Sequence, residues 1–190
     1  MSEMRTDAEQ LRPYLDAGWQ LIPLHNWKYR DAAGRERGKS PIHQNWTRRP
    51  YGSEDQVQHM KNGGNVGVRL TATQIVVDVD PRNFGIMTEG VDPFSELVLE
   101  LGIDPSDWPC VETGSGGQHF YLTKPKNTPV VDTLPGYPGV EFKTLGRQVV
   151  AAGSVHPTTG RVYEWEFLTS PLSGAPAAPK ALLDLIARPN

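Results

Sequence analysis

The chain has 190 residues, of which 37% are hydrophobic, and a formal net charge of −3. These values suit one globular domain with a real core, and no apolar run reaches the roughly 18 residues that span a membrane. Cys110 is the only cysteine, which excludes a disulfide framework and a cysteine-rich zinc site and leads us to expect a cytoplasmic protein. Because the average charge repels phosphate, any nucleic acid partner would have to meet a local basic surface.

Helices and strands are predicted in an order that does not strictly alternate. A capping box at Thr6 and Glu9 starts the first helix, and Ser53 with Gln56 caps the second. The predicted helices cover residues 6–18, 53–62, 92–101 and 180–187. The predicted strands cover residues 19–24, 65–70, 74–80, 110–113, 119–123, 140–145, 148–152 and 161–167, the last two forming a pair around the turn at 157–160. Since strands outnumber helices, the expected fold class is α+β.

The strand at residues 75–80 ends on two acids, Ile-Val-Val-Asp-Val-Asp. Alternate side chains of a strand share a face, so Asp78 and Asp80 should project together. Two close carboxylates repel one another unless a cation or a shared proton lies between them, which favours a divalent metal. A strand-end pair that caps the turn before Pro81 remains the alternative.

A loop of small residues follows, Thr-Gly-Ser-Gly-Gly-Gln-His at residues 113–119. Glycine lets backbone N–H groups approach an anion closely, and His119 can donate a hydrogen bond to a phosphate oxygen. The loop is not a P-loop, because no Gly-Lys-Ser/Thr follows the glycines. Alternatively, it is a flexible turn with a surface histidine.

The strand Val-Glu-Phe-Lys at residues 140–143 supplies one acid and one base on the same face. By itself this pattern is also typical of the solvated side of a half-buried strand. In combination, three carboxylates can hold two Mg²⁺ or Mn²⁺ ions, while loop amides, His119 and Lys143 can hold a triphosphate. The combination therefore favours phosphoryl transfer.

These motifs occur in an order that resembles a known family. IVVDVDPRN, ETGSGGQHFYL and GVEFKTLGRQVVAAGSVHPTTGRVYEW are similar to the motifs of the bifunctional DNA primase/polymerase (prim-pol) family of the archaeo-eukaryotic primase superfamily. Residues 18–19 and 38–41 with Trp46 resemble the family's opening motifs, so the resemblance covers residues 11–167 approximately. The family occurs largely in replication proteins of plasmids, phages and other mobile elements.

The resemblance implies a DNA primase/polymerase, a template-dependent nucleotidyltransferase that starts and extends strands from dNTPs or NTPs. It implies an RRM-like catalytic lobe at about residues 71–168, packed against an N-terminal α/β lobe formed by about residues 1–70 and returning strands. Residues 169–190 read as a linker and a helix, which suggests a longer replication protein that is fused, for example, to a helicase. As this segment the protein is expected to be a monomer that binds a single-stranded DNA template and a primer strand.

The resemblance also assigns roles to individual residues. Asp78, Asp80 and Glu141 are implied as ligands of two Mg²⁺ or Mn²⁺ ions, and together with His119 they are the expected catalytic residues. The expected nucleotide-binding residues are Lys39, Ser115, Gly116, Gly117, His119, Lys143, Arg147, Ser154 and His156. For Lys39 and Arg147, a solvated loop charge is the alternative.

Two departures from the family pattern stand out. Glu141 occupies a position where the family usually carries Asp, which adds a methylene of reach, and one cysteine cannot supply the zinc-binding element of some relatives. The template grip is therefore expected from basic loops with interleaved aromatics. Its candidates are Arg30, Arg35, Arg37, Arg48, Arg49 and Trp46, with Trp27, Lys28 and Tyr29 beside them; a solvated loop with core tryptophans is the alternative.

Two functions of other classes compete with the polymerase. One is a non-catalytic module that binds nucleotide or single-stranded DNA, which would keep His119 and the glycine loop but would not need the acids. The other is a metal-dependent transferase with the same Asp-x-Asp pair, such as a nucleotide-sugar glycosyltransferase. The presence of all three acids favours the polymerase over the binding module.

Overall fold

The computed structural model describes residues 6–87, 90–167 and 171–189. The helices are α1 (Arg12–Ala17), α2 (Asp55–Lys61), α3 (Pro93–Leu101) and α4 (Lys180–Ile186). The strands are β1 (Gln20–Asn26), β2 (Gly64–Arg69), β3 (Gln74–Val79), β4 (Cys110–Glu112), β5 (Gln118–Thr123), β6 (Val140–Lys143), β7 (Gln148–Val150) and β8 (Glu164–Trp165). All strand pairs within the sheets are antiparallel, which confirms the predicted α+β class. Among the described helices, none has the length and apolar character needed to cross a bilayer.

The first sheet has three strands in the order β1-β2-β7. Its apolar side chains, such as Ile22 and Val68, form a core with Leu11 and Tyr14 from the start of the chain. Helix α1 ends at Gly18, whose φ of 74° is the left-handed conformation that glycine adopts without a steric cost. This sheet brings residues 20–26, 64–69 and 148–150 into one layer.

The second sheet has five strands in the order β6-β3-β5-β4-β8. Alternation along β3 separates its two faces: Ile75, Val77 and Val79 pack into a core with α3 and α4, whereas Val76 belongs to the core of the first sheet. Asp78 lies on the same face as Val76. The polar end of this face is therefore turned toward the first sheet.

Several local predictions require correction. The predicted first helix begins as a 3₁₀ turn, Ala8–Leu11, that leads into α1, and Asp7 caps this turn by accepting from Glu9 N at 3.1 Å. Thr6 is not the cap, because its hydroxyl donates to the Met60 carbonyl at 2.6 Å. Ser53 Oγ does not cap α2; it accepts from Leu21 N at 3.0 Å and so ties the loop to β1. Both hydroxyls are used for long-range contacts.

The predicted pairing of the strands at 148–152 and 161–167 is wrong. β7 pairs with β2 in the first sheet and β8 pairs with β4 in the second, and the turn between them retains a bridge between Val155 and Val162. The connecting residues 151–155 are buried, with Ala151 and Ala152 in the core of the first sheet. The chain therefore crosses from one sheet to the other here.

The C-terminal segment is part of the fold over its described residues. Ala177 bridges to Thr123, and α4 buries Leu182 and Ile186 against the second sheet. Leu182 and Ile186 are four residues apart in the chain and therefore lie on one face of the helix. Of the linker and helix predicted at residues 169–190, the helix is present as α4, and the segment before it contacts the second sheet through Ala178 N, which donates to the Thr123 carbonyl at 2.7 Å. Residues 169, 170 and 190 lie outside the described residues.

Candidate active site

A row of charged side chains crosses three neighbouring strands of the second sheet. In β3, Asp78 is directly opposite His119 of β5 on one side and Glu141 of β6 on the other. Lys143 lies opposite Val76, two residues back along β3. Directly opposed residues of antiparallel strands project to the same face, so all four polar side chains share the face that is turned toward the first sheet.

Asp78 lies between Lys143 and His119. Its Oδ2 accepts from Lys143 Nζ at 2.7 Å, and its Oδ1 lies 3.4 Å from His119 Nε2. The Asp78 side chain is only 15% exposed. Burial by itself raises the pKa of Asp78, but the His119 and Lys143 interactions outweigh it and hold that pKa well below its ordinary value. Asp78 is therefore ionised at neutral pH.

Asp80 follows β3 and is clamped by Arg82. It caps the short 3₁₀ helix Pro81–Asn83, accepting from Arg82 N at 3.0 Å. The Arg82 guanidinium also binds both of its oxygens, with Nε 3.0 Å from Oδ1 and Nη2 2.8 Å from Oδ2. These hydrogen bonds lower the pKa of Asp80 against the opposing effect of its partial burial. Asp80 thus caps the turn before Pro81, which was the alternative left open by the sequence. Because Arg82 compensates its charge, Asp80 does not have to share a proton with Asp78.

Glu141 stands at the open edge of the row. Its carboxylate is 37% exposed and lies 3.7 Å from Arg147 Nη2, while Arg147 Nη1 lies 3.3 Å from Asp132. Within the described residues, no three His, Cys, Asp or Glu side chains form a group arranged to hold a metal ion. Asp78 and Asp80 offer the oxygen ligands that Mg²⁺ takes. Glu141 is in register with them but is turned to Arg147, so the three acids do not converge.

The glycine loop closes on itself rather than offering its amides. Gly116 N donates to the Thr113 carbonyl at 3.0 Å and Gly117 N donates to Thr113 Oγ1 at 2.9 Å. Thr113 Oγ1 also contacts Ser115 Oγ at 3.1 Å. In this conformation both amides are used inside the loop, and the assignment of Gly116 and Gly117 to nucleotide binding stays a prediction. A Cβ on Gly117 would lie 2.1 Å from the Val79 carbonyl, so glycine lets the loop lie against the end of β3.

His119 is buried and is not the surface histidine that the sequence left open. Its Nδ1 and the Nε2 of His156 are buried and have no hydrogen-bond partner within the part of the chain that the structure describes. The Tyr163 ring lies between the two imidazoles, with centroids at 6.1 Å and 5.9 Å. Burial and, after it, the charge of Asp78 raise the pKa of Tyr163. Sequence reasoning missed Tyr163 and Arg82, although both lie within the quoted motifs.

His156 is locked in its neutral form. Its Nδ1 accepts from the backbone amides of Thr158 and Thr159, both at 3.2 Å, so the proton is on Nε2. Burial, reinforced by the positive charges of Lys39 and Arg82, lowers the pKa of His156 from 6.5 to about 4.

Two further predicted nucleotide-binding residues differ in their surroundings. Ser154 is fully buried, accepting from Val66 N at 3.0 Å and donating to Val66 O at 3.1 Å, so its hydroxyl holds the first sheet and is not available to a ligand. Lys39 follows β1 of the first sheet and lies near Asp78 and Asp80. Burial and then the charge of Arg82 lower the pKa of Lys39, while Asp80 and Asp78 act in the opposite direction.

The predicted basic surface is not one patch. Arg30 pairs with Glu36 at 3.1 Å, and Arg35 and Arg37 lie 2.8 Å and 4.0 Å from Asp31, so each of these three arginines has an acidic partner within its own hairpin. Arg48, Arg49 and Trp46 lie on a different segment, whose carbonyls at Trp46 and Arg49 both accept from Arg69 Nη1 at 2.7 Å.

Comparison with known proteins gives one assignment. A family model described as bifunctional DNA primase/polymerase, N-terminal, matches residues 11–178. That range contains both sheets and every residue of the charged row. No curated protein matches the chain.

Proposed function

Because the chain belongs to the bifunctional DNA primase/polymerase family, we propose that it joins nucleotides on a single-stranded DNA template. The 3′-hydroxyl oxygen of a primer, or of an initiating nucleotide, attacks the α-phosphorus of a dNTP or NTP, and pyrophosphate leaves. The observation that carries this proposal is the register of Glu141, Asp78 and His119 across three adjacent strands, with Asp80 and Lys143 on the same face.

The donor set fits divalent metal ions in part. Asp78 and Asp80 are ionised, neighbouring carboxylates with oxygen donors only, and we propose that they hold two Mg²⁺ or Mn²⁺ ions together with Glu141. Such ions, when bound, lower the pKa of the attacking hydroxyl and neutralise charge at the transferring phosphorus. Glu141 must first leave Arg147, which lies 3.7 Å from it.

Cationic side chains around the acids are suited to the triphosphate. Lys143 is already in the site, bonded to Asp78. Lys39 has no hydrogen bond or ion pair from its ammonium group to any described residue, and its lowered pKa reflects both burial and Arg82. We assign both lysines to phosphate oxygens and Arg147 to charge at the open edge, while His119 contacts the triphosphate beside Asp78.

The remaining context extends this proposal. The second sheet is assigned to the RRM-like catalytic lobe and the first sheet with α1 and α2 to the N-terminal lobe. We place the protein in the cytoplasm as a monomer that replicates a phage, plasmid or other mobile element, in a polypeptide that can include a helicase. These assignments are supported by the family's usual setting and by the packing of two sheets around one polar face.

Strand synthesis tests the proposal directly. Wild-type protein is incubated with a single-stranded template, labelled dNTPs and Mg²⁺ or Mn²⁺, with and without primer, beside Asp78→Asn and Asp80→Asn. Asp107→Asn is the matched control, because Asp107 is exposed on a loop that contributes nothing to the charged row. We expect wild type and Asp107→Asn to make product, and Asp78→Asn and Asp80→Asn to make none. Equal synthesis by Asp78→Asn would refute the assigned site, and binding of template without synthesis by any protein would favour the non-catalytic module.

A further inference from the structure

Basic side chains, some of them without an acidic partner among the described residues, are concentrated around one exposed loop. Two open cavities meet at Leu145, which lines both and is 65% exposed. The first, of about 390 Å³, is lined by Lys124, Lys126, Arg147 and Arg188, and Asp132 is its one acid among the described residues. The second, of about 670 Å³, is lined by Arg48, Arg69 and Trp46, with no acid among its described lining residues. We call the two cavities with Leu145 the Leu145 groove.

Part of the charge in this groove is compensated, since Arg147 and Arg188 lie 3.3 Å and 3.8 Å from Asp132 and Lys124 donates to three backbone carbonyls. The remaining cations differ from those of the arginine hairpin at residues 30–37. Lys126 and Arg48 are exposed and make no ion pair with any residue that the structure describes. Among the described residues, Arg69 donates hydrogen bonds only to neutral oxygens, those of Gln20, Trp46 and Arg49. In a chain of net charge −3, this accumulation of one sign provides the local positive field that a polyanion requires.

The groove leads to the charged row. Leu145 lies two residues after Lys143, which donates to Asp78 at 2.7 Å. Arg147 joins the two regions, since it lies 3.3 Å from Asp132 in the groove and 3.7 Å from Glu141 at the edge of the row. A strand lying in the groove would therefore run alongside the catalytic face.

We propose that the Leu145 groove binds single-stranded nucleic acid, with phosphates against Arg48, Arg69 and Lys126 and with the half-buried Trp46 ring beside a base. Binding in the groove does not depend on the proposed function. Only the direction in which the nucleic acid strand runs, toward Asp78, Asp80 and Glu141, rests on that function. A cationic groove with an aromatic side chain is suited to a single strand, because phosphates and unstacked bases are then both contacted. The hairpin contributes little, since its arginines are already paired.

The first test is a binding measurement that needs no catalysis. Fluorescence anisotropy of a labelled oligothymidylate is recorded in EDTA over a series of salt concentrations. Arg48→Gln with Lys126→Gln removes two groove charges, and Lys61→Gln with Lys180→Gln removes two exposed charges elsewhere. Loss of two phosphate contacts should weaken binding about tenfold at moderate salt and reduce the slope of log affinity against log salt by roughly 1.4. The control pair should stay within about twofold of wild type.

The second test uses the crossing point between the cavities. Leu145→Glu places a negative charge where the strand must pass, so binding should weaken by about tenfold. Leu185→Glu introduces the same charge at an exposed leucine of α4. It should leave the affinity unchanged.

The outcomes separate the groove from the proposed function. Equal effects of each variant and its control would overturn the groove, whatever Asp78→Asn does to synthesis. Groove-specific loss of binding in an Asp78→Asn background would support it even if the assigned chemistry proved wrong. Polyglutamate that competes as well as an oligonucleotide of equal charge would overturn the assignment to nucleic acid.

Discussion

The two halves of the charged row are built differently. On the β3 and β5 side, Asp78 and His119 are 15% and 7% exposed and lie within 3.4 Å of one another. On the β6 edge, Glu141 and Arg147 are 37% and 42% exposed and are 3.7 Å apart. Coulombic interactions are strong where water is excluded and weak where it is not. The inner half therefore sets the charge state of the site, whereas the edge can rearrange around a ligand.

Among the substitutions that test this comparison, Asp78→Asn should cause the largest loss of synthesis. The change removes the negative charge that Lys143 and His119 share, and with it an assigned metal ligand, so we expect synthesis to fall at least about 10³-fold. Single-turnover primer extension measures the loss, and circular dichroism checks the fold. A loss smaller than that of Glu141→Gln would reverse the ranking of the two halves.

Glu141→Gln should have an intermediate effect. Because Glu141 is at the open edge and is turned to Arg147, it is expected to join the site only when ligands bind, and the rate should fall about 10- to 100-fold. Glu141→Asp, which restores the residue usual in the family, should recover much of the activity. If Glu141→Gln instead inactivates the enzyme as completely as Asp78→Asn, the edge is as essential as the interior.

Lys39→Gln should act mainly on nucleotide binding. A lost charge-assisted contact to phosphate is expected to raise the KM for dNTP about tenfold, corresponding to about 1.4 kcal/mol, with a smaller change in kcat. Steady-state kinetics at saturating template measure the two constants separately. Lys61→Gln, a change at an exposed lysine of α2, is the control. An unchanged KM would show that Lys39 is only a neighbour of the acids.

His156→Asn should have the smallest effect, which we expect in the free energy of unfolding and not in the rate of synthesis. Its pKa is lowered from 6.5 to about 4, so the unfolded chain binds a proton first as the pH falls. Folding stability from this group is therefore present above pH 6.5 and is lost between 6.5 and about 4, by roughly 2 kcal/mol at pH 5. Urea unfolding at pH 7.5 and pH 5 should show a smaller acid loss for His156→Asn than for wild type. All other residues are the same in both proteins, so equal losses would exclude His156 as the cause.

Much of the fold was predictable from local patterns. The strand ending in Asp78 and Asp80, the helix from Pro93 and the last helix from Lys180 lie close to their predicted bounds, because alternation and helical spacing are properties of neighbouring residues. Asp92 caps α3 with its Oδ1 2.9 Å from Ser95 N. Strand partners were not predictable in the same way. β7 pairs with β2, about 80 residues back in the chain, and no local pattern encodes that choice.

The site was predicted as a set of residues and not as an arrangement. Asp78, Asp80, Lys143 and His119 do share one region, as the order of motifs indicates. The closed loop at Gly116 and the buried Ser154 hydroxyl were not anticipated, because a polar group's partner depends on what folds against it. The roles of these residues in catalysis stay predictions.

The sequence by itself determined the family, the α+β class and the alternation that puts Asp78 and Asp80 on one face of a strand. Only the tertiary structure decided which charges are balanced. It buries Asp78 between Lys143 and His119, pairs the hairpin arginines with Asp31 and Glu36, and leaves Lys126 and Arg48 without an ion pair among the described residues. The reason is physical: side-chain direction is a local property of a strand, whereas burial and charge pairing depend on segments that meet only when the two sheets pack.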